Sequence, residues 1–130
     1  MEYLQSLAAW LEQVSGYKWL VDCLDTTTGS AGVFPLGVRQ VARKTNILGG
    51  EYRRLEHSFK LKLRLSAPAH ADGRLNAAVL RMLEEAVRRE QPPAVGEYQT
   101  AVLENARLER SDGETAVYAA TLRLEADGEL

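Results

Sequence analysis

From residue 54 to residue 65 apolar and polar side chains alternate without a break. Leu55, His57, Phe59, Leu61, Leu63 and Leu65 fall on one side, and Arg54, Glu56, Ser58, Lys60, Lys62 and Arg64 on the other. A period of two is the signature of a strand with one buried face. This strand, Arg54 to Ser66, is the clearest signal in the chain. A sheet that keeps one face so polar over this length pairs antiparallel and packs helices on its other face.

Two segments carry the helical period instead. Leu4, Leu7, Leu11 and Val14 recur at spacings of three and four, which predicts a first helix over Glu2 to Val14, ended by Gly16. A second helix starts near Asp72 with an apolar stripe of Leu75, Val79, Met82, Leu83, Ala86 and Val87, and stops at Gln91, Pro92 and Pro93. Tyr17 to Leu24 reads as a short strand. Leu36 to Lys44 reads as a further strand whose alternation is only half clean, with Leu36, Val38, Gln40 and Ala42 against Arg39, Val41 and Arg43. Asn46 to Gly50 supplies the glycine pair for a reversal. The tail adds strands over Tyr98 to Glu109 and Thr115 to Glu125. Asp112-Gly113 is the hairpin turn between them, and Ala116, Tyr118, Ala120, Leu122 and Leu124 face the core. The order α-β-β-β-α-β-β predicts an α+β fold. We expect a mixed or mainly antiparallel sheet of about five strands with two helices packed on one face. A length of 130 residues fits a single domain, 1–130.

Composition narrows the function classes. Hydrophobic residues at 45% and charged residues at 26% describe a chain that folds. The 16 basic and 18 acidic side chains nearly cancel, so no long-range field draws the molecule to nucleic acid or an anionic membrane. Met1 to Trp10 lacks the features of a signal peptide, and no window approaches a membrane span. The expected location is the cytoplasm. The single cysteine, Cys23, has no partner for a disulfide or a zinc site and is expected as a small buried apolar residue.

Candidate chemistry is sparse. His57 lies in the apolar register of its strand and reads as a core or interface residue rather than a general base. His70 falls in the loop before the second helix and reads as solvent exposed. No glycine-rich loop leads from a strand into a helix, and no metal-ligand spacing occurs. Glu84 and Glu85 sit among arginines on a solvated helix face. We therefore assign no catalytic residue, no metal and no cofactor.

The polar side of the long strand is more suggestive. Arg54, Lys60, Lys62 and Arg64 share it, and Arg39 and Arg43 can extend it from the neighbouring strand. Two readings stand: an ordinary solvated sheet face, or a surface meeting acidic protein or passing nucleic acid. No aromatic side chain interleaves with these charges, which weakens a stacking role for single strands. Thr26, Thr27, Thr28 and Ser30 in one segment, and Asn46, Gly49 and Gly50 in another, are expected as mobile loops. Either they order on contact with a partner or they simply connect strands.

With these elements in order, the chain resembles the tail terminator or tail completion proteins of phages, prophages and phage tail-like particles. The resemblance runs from the LQSLAAWLEQV helix through the HSFKLKLRLSA strand and the LNAAVLRMLEEAVRRE helix to the AVYAATLRLEA strand. It implies a non-enzymatic structural subunit, assembled in a bacterial host and carried in the particle. A hexameric ring of such subunits caps the tail tube, stops its polymerisation and meets head completion or connector proteins. The implied partners are further copies, the tail tube protein and those connector proteins, with no membrane, and with nucleic acid only as DNA passing through a channel. Two alternatives stand beside it: a head-to-tail connector or minor capsid protein, and a small-molecule-binding or catalytic α+β domain in which His57 and Cys23 meet in a pocket.

Overall fold

The computed structural model describes residues 2–45, 49, 51–66, 72–111 and 114–128. The elements follow the order α1 (Glu2–Ser15), β1 (Trp19–Val21), β2 (Ala31–Thr45), β3 (Glu51–Ser66), α2 (Asp72–Glu90), β4 (Glu97–Ser111) and β5 (Thr115–Gly128). They form one five-stranded sheet in the order β1-β2-β3-β5-β4. β1 runs parallel to β2 and every other pair is antiparallel, so the sheet is mixed. This is the expected α+β fold.

Both helices bury their apolar stripes against the same side of the sheet. Leu4, Leu7, Ala8 and Leu11 of α1 and Leu83 and Val87 of α2 meet Leu61, Leu63 and Leu65 of β3 and Ala120, Leu122 and Leu124 of β5. Each fully buried leucine contributes about 1.5–3 kcal/mol of transfer free energy. Alternation places His57 opposite Leu124, Phe59 opposite Leu122 and Leu61 opposite Ala120, so β3 and β5 supply most of the floor. α1 ends where predicted. The Gly16 amide donates to the Glu12 carbonyl at a positive φ of 79°, a conformation that suits glycine. Ser15 Oγ donates to the Leu11 carbonyl and accepts from the buried Trp19 indole at 2.9 Å, tying the helix end to β1.

Several expectations are corrected. β2 begins at Ala31, five residues before the expected start at Leu36, and Ala31 and Val33 are fully buried. Thr26, Thr27 and Thr28 are exposed, but their segment is fastened down. Ser30 is buried, its hydroxyl accepts from the Asp25 amide, and its amide and carbonyl bond to Thr27 and Arg64. Cys23 is exposed rather than buried. Met82 turns outward at 44% exposure, leaving Leu83 and Val87 to anchor α2. β1 has three residues, far fewer than Tyr17 to Leu24 allows. Gly49 is exposed at a positive φ of 85°, as a reversal requires. Asn46, Gly50, His70 and the Asp112-Gly113 turn lie outside the described residues.

Candidate functional site

The helices are shorter than the strands they cover. α1, with 14 residues, spans roughly 20 Å, whereas β3, with 16, spans about 50 Å. Where the helical layer stops, an apolar groove of about 460 Å³ opens on the helix side of the sheet. Tyr3, Pro35, Val38, His57, Phe59 and Val95 line it. Its walls are fixed. Tyr3 donates its hydroxyl to the Pro93 carbonyl at 2.8 Å and sets its ring 5.8 Å from that of Phe59. Burial raises the Tyr3 phenol far above its ordinary pKa, so it stays a neutral donor. Gln99 accepts from the Val95 amide and donates to the Pro92 carbonyl, bracing the connection that forms the far wall.

One side of the groove continues onto the free edge of β2. β1 pairs with Ala31, Gly32 and Val33, so among the described residues β2 has no partner strand on that side from Phe34 onward. Leu36 is 56% exposed and Val38 49%, with Val41 beside them. Bulges between Pro35 and Gly37 and between Gln40 and Ala42 break the register here. They explain why the predicted alternation of this segment was only half clean, because each bulge reverses the side-chain parity. The opposite sheet edge, β4, carries exposed Tyr98, Val102 and Leu108 and has three register shifts of its own. Bulged, twisted edges resist ladder pairing with a second sheet. Contacts made there rest on side chains.

Among the described residues, the other side of the sheet carries no helix. It holds the predicted cations, nearly all with partners. Arg39 meets Glu56 at 3.0 Å; Arg54 meets Glu125 and Asp127, each at 3.1 Å, and donates to the Tyr98 carbonyl. Lys60 and Lys62 share Glu109 at 3.1 and 2.8 Å, and Lys62 also lies 5.6 Å above the Phe34 ring. The hydrogen bond from Lys62 leads in holding the Glu109 carboxyl below its usual range. Arg123 Nε lies 2.7 Å from Glu104, an ionic approach whose N–H is not aimed at the carboxylate. Arg43 is also engaged. Arg64 is the exception: at 7% exposure it is buried, donating to the Asp25 carbonyl and the Thr115 hydroxyl. The stripe is therefore a charge-matched lattice joining β2, β3, β4 and β5 over most of its length.

No family model and no curated protein matches this chain. Any function assigned to it rests on its own geometry.

That geometry keeps Cys23 and His57 apart. The Cys23 carbonyl sits against Gly32, which pairs with Lys62, whereas His57 pairs with Val38; five β3 residues, roughly 17 Å, separate the two levels. His57 is half-buried in the groove, and burial lowers its pKa, so the ring is neutral at pH 7. Among the described residues no His, Cys, Asp and Glu cluster has the makings of a metal site. Sequence reading assigned His57 correctly to the helix side but missed Tyr3, Pro35 and Val95 as its neighbours. Pro35 and Gly37 inside one strand were the available signal, since proline and glycine there mark an edge and a bulge.

Proposed function

We propose that this chain is a structural assembly subunit, the terminator of a phage-type tail, whose copies form a hexameric ring that caps the tube and meets the head. One observation carries the reading. The groove and the Leu36–Val38–Val41 edge lie on one side of the subunit, while Tyr98, Val102 and Leu108 lie on the opposite sheet edge. Two different surfaces on opposite sides of a subunit make heterologous contacts, the kind that close into rings. Exposed apolar groups concentrated in this way are what a partner covers. The bulged edges fit the same role, since free subunits avoid zipping together before the tube end gathers them. The α-β-β-β-α-β-β order agrees with the architecture of the family that the sequence resembles.

The test is to delete the gene from its source element, induce particles and measure tail lengths by negative-stain electron microscopy. Overlong or headless tubes support a terminator. Normal tails joined to heads reject it.

A further inference from the structure

Most of the cations placed on the helix-free face have a carboxylate within reach. Arg39, Arg54, Lys60, Lys62 and Arg123 each approach a carboxylate. Arg64 is held instead by a backbone carbonyl and a hydroxyl, and Arg110 lies beside it on β4. Both line one recess of about 340 Å³, together with Thr26, Ser111, Thr115 and Val117. Among the described residues, no side chain lining it is acidic.

Arg64 occupies this recess in an unusual state. It is a buried cation, and a buried charge without a counter-charge is costly. Its Nε donates to the Asp25 carbonyl at 2.9 Å and Nη1 to the Thr115 hydroxyl at 3.1 Å, which fixes the guanidinium plane. A guanidinium carries five donors in a rigid fork, and the bonds to Asp25 and Thr115 engage two of them. Arg110, exposed on β4, adds a second positive charge from the rim. The Thr26 and Ser111 hydroxyls add polar groups within the same walls.

We propose that this recess binds a small oxyanion of phosphate or sulfate size, held by the fixed Arg64 fork and closed over by Arg110. The bound anion supplies a counter-charge to the buried Arg64 guanidinium. Arginine forks suit tetrahedral oxyanions because two parallel N–H groups match two anion oxygens. The site stands independently of the assembly role, since it draws on neither the groove nor the exposed apolar side chains of the sheet edges.

The experiment is a titration of the full chain with inorganic phosphate against chloride at constant ionic strength, followed by amide chemical shifts. The expected result is saturable shifts confined to Thr26, Ser111, Thr115 and their neighbours, with sulfate competing. Arg110→Gln should weaken binding about tenfold, the scale of one charge-assisted contact. Arg39→Gln, whose cation pairs with Glu56 at the far end, should leave affinity unchanged. Shifts that fail to saturate, that spread evenly over the charged face, or that persist with unchanged affinity in Arg110→Gln overturn the proposal.

Discussion

Val38→Asp separates the stability of the subunit from its assembly. Val38 is half exposed, and it lies on the free edge of β2 at the mouth of the groove. In the free chain the carboxylate can face water, so the change costs about 1 kcal/mol or less, the range of strand propensity. For a chain of this size that shifts Tm by less than about 5 °C. In the proposed ring the balance reverses. Covering the remaining half of a valine is worth about 1 kcal/mol, and a carboxylate trapped without a partner costs about 2 kcal/mol more. A loss of about 3 kcal/mol weakens each interface roughly a hundredfold, and a ring repeats the defect at every junction. The assay pairs thermal unfolding of the purified variant with tail measurements on particles complemented by it. A folded Val38→Asp chain that is missing from particles is the expected outcome. Full complementation with normal tails would refute the reasoning, as would unfolding of the free variant.

Three further predictions concern the fold. Arg54→Ala removes a guanidinium that ties β3 to β5 and β4, and its side chain is only 14% exposed; urea unfolding should reveal a loss of about 2–3 kcal/mol. Gly32→Ala would place its Cβ 2.2 Å from the Cys23 carbonyl oxygen, so the Asp22–Ser30 connection must shift, and faster proteolysis of that segment should report it. His57 has a lowered pKa in the folded chain, so the unfolded chain takes up its proton first as pH falls. His57 therefore opposes folding increasingly as pH drops below its ordinary value of about 6.5 towards its lower folded value. The urea midpoint should fall between about pH 7.5 and pH 5. His57→Leu should remove the His57 part of that slope, and an unchanged slope would show that His57 does not produce it.

Much of the fold was legible because period and position carry it. The strict alternation of β3 and the spacing of Leu4, Leu7 and Leu11 mark which side chains enter the core, and burial follows them. Local pattern failed where long-range contact decides. Ala31 and Val33 look like the end of a linker until β1 and β3 flank them, and only the tertiary fold buries them. The cation stripe was visible as six positions, but most of the carboxylates that offset it come from β4 and β5, 47 to 73 residues away in the chain. Glu109 pairs with Lys62 across 47 residues, and Asp127 with Arg54 across 73. The groove was not legible, because it arises from a mismatch between helix and strand length and from a bulge at Gly37. The recess around Arg64 was missed for the same reason: alternation puts Arg64 on the polar side and says nothing of the Asp25 backbone folded over it.

The central claim is that copies join through unlike edges, β2 of one to β4 of the next. The most direct measurement is oxidative cross-linking in purified particles of a Val41→Cys, Val102→Cys chain. A Cys23→Ser background is needed because Cys23 is exposed. A ladder of multimers that requires both introduced cysteines, and that ends at a closed ring, is the predicted result. Dimers formed by Val41→Cys alone, or particles that contain the chain yet yield no cross-link, would contradict it.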